Sequence, residues 1–365
     1  MKILVKLPNW VGDSVMATPA LDWLRAAMPD AEIHGLARRA VAGVLQGHPS
    51  LDRLLQADER SLPADVAALF AGTRYDAATL MTNSFGTAWF ALRHLSARHR
   101  IGFARAGRRL LLTHPIPFHR PDWQTPAPQP VSYRSRVSGT GHPGHMVQYY
   151  LRVAVETARA LGVDAEPPGT TLDTSLTLPA LPDAETAAET LLRRDNPHGA
   201  PLVGINPGAA YGGAKRFPLD RLVAAAEGVA GRMGGRIVST ASRFESALND
   251  QLSGLARTKI LRTGEELDLP GLTSLMRRLT VFITNDSGAM HIAAATHTPT
   301  VAVFGPTDWN VTCPWSRHAV VLRDSPPCAP CLLRECPIDH RCMTAITADH
   351  VAEEALELLA ADGKA

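Results

Sequence analysis

A chain of 365 residues is long enough for about two domains of ordinary size. With 45% hydrophobic residues it can fill sizeable cores, and a net charge of +2 gives no whole-chain case for binding nucleic acid. No run reaches the roughly 18 apolar residues of a membrane span. The start, MKILVKLPNWVGD, is interrupted by Lys6, Pro8, Asn9 and Asp13, so it reads as a first strand rather than a signal peptide. The expectation is a soluble cytoplasmic protein.

In chain order, Lys2–Leu7 is the first expected strand and Pro8–Asp13 a loop. Ser14 is placed to cap a helix running to about Met28, where Pro29 stops it. Gly12 lets the backbone turn tightly at the mouth of that helix. Asp13 has two readings there: an acidic helix cap, or an exposed carboxylate at the ligand-binding edge of a sheet, available as a general base. Glu32–Ala37 is a second strand, Val66–Phe70 belongs to a helix, and Ala77–Thr82 is a strand. The turn Asn83-Ser84-Phe85-Gly86 then leads into a helix ending near Leu95. Strands alternating with helices indicate a parallel sheet.

Arg93, Arg98, Arg100, Arg105, Arg108 and Arg109 crowd one short stretch. Such a run is either a solvated surface or a patch facing an anionic substrate or membrane. Residues from about Arg120 to Gly144 read as a long loop, suited to a lid or to binding an acceptor. His145–Leu161 is a helix ended by Gly162, and the Pro- and Thr-rich Asp164–Pro182 contains the expected linker.

The second half restarts the same pattern. Glu185–Arg194 is a helix, Leu202–Asn206 a strand, and Pro207–Ala210 a turn of small residues. In Tyr211–Pro218, the glycines at 212 and 213, with Gly208 before them, permit close approach of backbone to a ligand, and Lys215 and Arg216 supply charge. The pattern is not a Walker A loop. Leu219–Met233, Glu245–Arg257 and Leu272–Leu279 are helices, and Arg236–Thr240 is a strand.

The stretch Val281–Pro306 is strand, polar turn, helix, strand. Asn285, Asp286, Ser287 and Gly288 form a turn suited to a helix N-cap, and Pro299 forbids extension of the helix. In a parallel sheet this turn lies where ligands bind, and a helix start offers unpaired N–H groups to a phosphate. Asp286 and His291 add polar groups beside it. The alternative is an ordinary buried βαβ unit. Cys328, Cys331, Cys336 and Cys342 fall as C-x2-C-x4-C-x5-C, with His340 between the last two and Cys313 apart. A structural zinc, free thiols and disulfides all remain open. Ala348–Leu359 is a last helix.

Three blocks, ILVKLPNWVGDSVMATPAL, NPGAAYGGAKRFP and TNDSGAMHIAAATHTPTVAVFGPT, in this order and separation, resemble the bacterial lipopolysaccharide heptosyltransferases of glycosyltransferase family 9. The resemblance spans essentially the whole chain. It implies an α/β GT-B fold, two Rossmann-like domains with parallel sheets facing a central cleft. The acceptor domain would be 1–175 and the nucleotide-sugar domain 176–347, with the last helix, about 348–360, returning to the first. The implied reaction is inverting transfer of L-glycero-D-manno-heptose from ADP-heptose to the lipopolysaccharide inner core. Asp13 would be the base and Lys215 the cation at the diphosphate. Gly208, Glu245, Asp286, Ser287, Gly288 and His291 would complete the donor site, and Arg93, Arg105 and Arg108 would meet the phosphorylated acceptor. No D-x-D pair occurs in the sequence, so no catalytic metal or other cofactor is expected. The resemblance places the chain at the inner face of the inner membrane, with no nucleic-acid partner. The competing expectations are a family 9 transferase with another donor or acceptor, and a non-catalytic GT-B protein binding glycolipid or nucleotide.

Overall fold

The computed structural model describes residues 1–58, 62–117, 144–164 and 174–362. The described residues fall into two compact units that meet in sequence between Pro179 and Ala180. The expected loop at 120–144, save Gly144, and residues 165–173 of the expected linker segment lie outside the described residues.

The first unit is a six-stranded parallel sheet ordered β3-β2-β1-β4-β5-β6. Its strands are β1 (Lys2–Lys6), β2 (Glu32–Ala37), β3 (Arg53–Gln56), β4 (Arg74–Leu80), β5 (Ser96–Phe103) and β6 (His114–Ile116). The second unit repeats this topology as β12-β11-β10-β7-β8-β9. Here the strands are β7 (Leu202–Asn206), β8 (Arg236–Ser239), β9 (Ile260–Leu261), β10 (Val281–Asn285), β11 (Thr300–Phe304) and β12 (Ala319–Arg323). In each sheet the winding direction reverses between the first and fourth strands of the unit. Lys6 is in register with Leu80 in one sheet and Asn206 with Thr284 in the other. These two reversal points, at the carboxyl ends of the strands, are where a doubly wound sheet opens to a ligand.

Helices cover both faces, so the central strands are largely apolar and buried in their interiors. In the second unit Val203, Ile205, Val281, Ile283, Val301 and Val303 pack against Leu222, Val223 and Ala226 of the Leu219–Met233 helix. Each large aliphatic side chain so buried contributes about 1.5–3 kcal/mol. Val351, Ala355, Leu358 and Leu359 of the Ala348–Ala361 helix join the same core. The last helix therefore belongs to the core of the second unit. Arg221 fastens its approach by donating to the carbonyls of Thr344 and Ile346.

Three local expectations shift. The helix expected from Ser14 to Met28 is two helices, Val11–Met16 and Thr18–Ala27. Its N-cap is Trp10, and Pro19, which has no N–H to donate, stands at the start of the second piece. Ser14 lies inside the first helix, where its hydroxyl meets the carbonyl of Pro8 at 3.4 Å. The helix expected from Glu245 begins as a 3-10 turn, Arg243–Glu245, before Ser246–Leu255. The arginine-rich run of the first unit is largely strand β5 and the 3-10 turn Arg108–Leu111.

Candidate active site

Two buried asparagines end the strands at the reversal point of the second sheet. Asn206 closes β7 and Asn285 closes β10. The Asn285 amide donates to the carbonyls of Asn206, Pro207 and Gly208 at 3.2–3.3 Å. Its oxygen accepts from the Phe217 N–H at 2.8 Å. Asn206 donates to the Gly208 carbonyl and to the Ser287 hydroxyl at 3.0 and 3.1 Å. These side chains stitch the 207–217 loop to the turn that opens the Gly288–Ala295 helix. Ser287 caps that helix, accepting from the Met290 N–H.

The stitched loop carries Lys215 to the helix start. Its ammonium lies 2.6 Å from an Asp286 carboxylate oxygen, and both side chains are mostly buried. Thr307 donates to the same carboxylate oxygen at 2.6 Å. The Tyr211 ring lies under the ammonium, 4.8 Å from its centroid. His291 is buried on the first turns of the helix, and its Nδ1 has no hydrogen-bond partner. Burial, then the positive charge of Lys215, pushes its pKa down to about 3. His291 is therefore a neutral imidazole at physiological pH.

Gly208 and Glu245 touch. A Cβ at position 208 would stand 1.9 Å from a Glu245 carboxylate oxygen, so any side chain there would displace the acid. The other Glu245 oxygen accepts from the Ser242 N–H and hydroxyl in a capping box. The capping box fixes the carboxylate beside the loop that Asn206 and Asn285 organise. Asp286, Ser287, Gly288, His291, Lys215, Gly208 and Glu245 thus gather at one edge of the second unit.

The cysteine-bearing segment braces this edge from outside. The Tyr211 hydroxyl donates to the Leu332 carbonyl, and the Ala214 N–H to that of Arg334. The Gly213 N–H donates to the Glu335 carboxylate at 2.9 Å. His340 Nε2 lies 2.6 Å from the Ala214 carbonyl, to which it donates. A Cβ at Gly212 would collide with the Arg334 backbone, so the two segments fit only with glycine there.

In the first unit, Asp13 sits in the first turn of the Val11–Met16 helix, just beyond the carboxyl end of β1. The Tyr150 hydroxyl, from the Met146–Ala160 helix, donates to Asp13 Oδ1 at 2.9 Å. Burial and the Asp13 charge raise the Tyr150 pKa well above that of a free phenol, so it stays a proton donor in this bond. The adjacent Tyr149 stacks on Phe103 at 4.3 Å and donates to the Asn83 side chain at 2.5 Å.

Residues 68–341 match glycosyltransferase family 9 (heptosyltransferase). The chain belongs to glycosyltransferase family 9. Lipooligosaccharide heptosyltransferase 2 of Haemophilus ducreyi is 27% identical over 334 residues, 88% of each chain. Lipopolysaccharide heptosyltransferase 2 of Escherichia coli is 26% identical over 340 residues, again 88% of each. The solved structure of E. coli ADP-heptose LPS heptosyltransferase II superposes with a TM-score of 0.77 and 25% identity, covering 100% of both chains. The family 9 structure from Veillonella parvula, at 22% identity and a TM-score of 0.79 over 99% of this chain and 97% of that one, shares the fold. This is a glycosyltransferase with the paired Rossmann-like units of the GT-B class.

For this family 9 enzyme the expected acceptor arginines divide. Arg93 and Arg105 are exposed. Arg108 is fully buried and is not available to an acceptor. Its guanidinium donates to the carbonyls of Phe103 and Thr82 and to the Asn83 side chain. A guanidinium is buried only when its donors are satisfied, and these three bonds tie β5 to the turn after β4. The density of arginine in the sequence does not distinguish this inward residue from its exposed neighbours.

The cysteines also divide. All five are free thiols, Cys313 and Cys342 buried and Cys328 exposed. Burial and the neighbouring sulfurs of Cys336, Cys331 and Cys328 push the Cys342 thiol up. The four sulfurs share a neighbourhood, but among the described residues no three His, Cys, Asp or Glu side chains are arranged to hold a metal.

Sequence reading overlooked Asn206, Thr307 and Tyr150, and took Asn285 only as a turn residue. Both asparagines end an apolar strand before a turn of small residues, which was the available signal. Nothing in sequence ties Tyr150 to Asp13 across 137 positions.

Proposed function

We propose that this protein transfers L-glycero-D-manno-heptose from ADP-heptose to a heptose of the lipopolysaccharide inner core, with inversion at the anomeric carbon and without a catalytic metal. Its membership of a heptosyltransferase family and the heptosyltransferase 2 names of relatives spanning 88% of the chain support the sugar and the acceptor class. The observation that carries the reading is Lys215, held by Asp286 at the start of the Gly288–Ala295 helix. A diphosphate leaving group develops negative charge as the glycosidic bond breaks. An ammonium has three donors, so Lys215 can keep Asp286 and still reach a phosphate oxygen. The unpaired N–H groups of the helix start supply the rest of the positive potential. His291, neutral, offers a hydrogen bond without adding charge.

Asp13 takes the proton of the attacking hydroxyl as the acceptor oxygen bonds to the anomeric carbon and the diphosphate departs. The acceptor is lipid-anchored, so the protein works at the inner face of the inner membrane. Among the described residues no helix is long and apolar enough to cross a membrane.

The test is incubation with ADP-heptose and lipopolysaccharide core that carries the first heptose and lacks the next, measuring released ADP and the mass of the acceptor. Addition of one heptose is expected. Asp13→Ala is expected to lose at least about a hundredfold in rate, the usual scale for removing a general base, with ADP affinity nearly intact. Loss of ADP affinity instead would put Asp13 in the donor site and overturn its assignment.

A further inference from the structure

The Phe85–His94 helix has two faces. Thr87, Ala88, Phe90 and Ala91 are buried against the first unit. Phe85, Trp89 and Leu92 are exposed. Their spacing of four and three residues puts them on one stripe of the helix. The Arg108–Leu111 turn packs beside this helix and presents Leu110, which is 93% exposed. Trp10, also exposed, lies just beyond β1, the strand that neighbours β4, which leads into the same helix. Single exposed apolar residues are ordinary, but a stripe with two tryptophans, a phenylalanine and two leucines around one sheet edge is not.

The charge around the stripe has one sign. From Ala77 to Pro117 the sequence contains six arginines and no Asp or Glu, although the whole chain carries only +2. Arg93, Arg105 and Arg109 are exposed on this part of the unit. Arg93 follows Leu92 on the helix, and Arg109 precedes Leu110 on the turn.

We infer that this face, Phe85, Trp89, Leu92 and Leu110 with Arg93 and Arg109 beside them, docks the protein on a bilayer of anionic phospholipid. The inference rests on the reading of a lipid-anchored acceptor and deepens it by naming the surface and the headgroup chemistry. Indole and phenyl rings settle at the boundary between headgroup and acyl chain, with leucine just below. Guanidinium groups reach back to phosphate while their stems lie along the apolar layer. A protein partner of ordinary surface would bring cations as well as anions, and this face has no carboxylate of its own segment to meet them. The sheet edge that holds Asp13 is the edge where Trp10 and the start of this helix lie, so docking would bring that edge toward the lipid surface.

The experiment is flotation of the full chain with vesicles of phosphatidylcholine alone and of phosphatidylcholine with 30% phosphatidylglycerol, about one anionic lipid in three. Binding to the anionic vesicles at least about tenfold stronger than to the neutral ones, and weakened by salt, is expected. The double variant Trp89→Ser with Leu110→Ser should lose at least about tenfold in vesicle affinity, as should Arg109→Glu. Because these side chains are exposed, both proteins should melt with the wild type and keep its turnover on a water-soluble, deacylated acceptor. Equal binding to both vesicle types, or full anionic binding by both variants, overturns the inference. So does a variant that loses self-association in sedimentation while keeping vesicle binding, because the face would then belong to a second copy. Anionic binding through this face by a protein that transfers no heptose would sink the proposed reaction and leave the docking face standing. Heptose transfer to the soluble acceptor without anionic binding would do the reverse.

Discussion

Lys215 and Asp286 form an ion pair of 2.6 Å whose two members come from different loops, one after β7 and one after β10. By charge alone a carboxylate beside a diphosphate site is unfavourable. The pairing gives Asp286 another task, which is to hold the lysine in place. Thr307 completes it by donating to the same oxygen. Breaking a buried pair strands the remaining charge, at a cost of about 3–5 kcal/mol. Asp286→Ala should therefore lower unfolding stability by roughly that amount and weaken ADP binding through a displaced lysine. Lys215→Met with Asp286→Leu should regain much of the stability while ADP binding stays poor. Denaturant unfolding and calorimetric titration with ADP measure the two effects. An Asp286→Ala protein with unchanged stability and ADP affinity would refute the tether.

Tyr150 should set how Asp13 works as a base. A neutral phenol donating to one carboxylate oxygen fixes the rotation of the group and favours its ionised form. Hydrogen bonds to charged groups are worth about 1.5–3 kcal/mol, so Tyr150→Phe should slow turnover about tenfold or more. The change lies in kcat rather than in the KM for ADP-heptose. The sign of the pH effect follows from the lost donor: the acidic limb of the rate profile moves to higher pH, so activity falls more at pH 6 than at pH 8. A uniform loss at every pH would mark Tyr150 as merely a packing residue.

What the sequence makes legible here follows from which physical signal each element carries. Strands buried on both faces, such as Glu32–Ala37, Leu202–Asn206 and Thr300–Phe304, are read with their observed bounds because their apolar runs end at turn residues. Strand β5 is hidden, because Arg98, His99 and Arg100 on a half-buried stretch read as surface charge. The gathering of Lys215, Asp286, Ser287 and His291 at one sheet edge is legible because strand, turn and helix follow one another locally. The brace by Leu332–His340 and the Tyr150–Asp13 bond are not, because both join positions more than a hundred residues apart. The cysteine spacing leaves zinc, free thiols and disulfides open, and the segment's visible role is to hold the turn of Lys215 through backbone groups, Glu335 and His340.

His291 should make stability depend on pH in a defined window. Its pKa is pushed from 6.5 down to about 3 in the folded protein. Between those values the unfolded chain holds a proton that the folded chain does not, so stability falls as pH drops below about 6.5. The loss approaches about 1.4 kcal/mol per pH unit for one such group. His291→Leu removes this proton from the balance. Subtracting its unfolding free energies from those of the wild type between pH 4 and 7 should isolate a slope close to one proton. Parallel curves would show that His291 titrates alike in both states.

Arg108 is the last case, where the expected function and the observed role part. Its guanidinium satisfies the carbonyls of Phe103 and Thr82 and the Asn83 side chain, which also receives the Tyr149 hydroxyl. Arg108→Met keeps much of the stem and removes every guanidinium donor, at about 1–3 kcal/mol for a buried acceptor left short of a partner, while the Phe103 carbonyl keeps the Arg105 N–H and Asn83 keeps the Tyr149 hydroxyl. A loss of stability of about 1–3 kcal/mol is therefore expected, with no specific change in acceptor KM among the molecules that remain folded. Arg93→Ala changes an exposed side chain and should stay within about 0.5 kcal/mol of the wild type. Thermal and denaturant unfolding of the two variants side by side decide the matter. Equal stability, with acceptor KM raised only by Arg108→Met, would return Arg108 to the acceptor site.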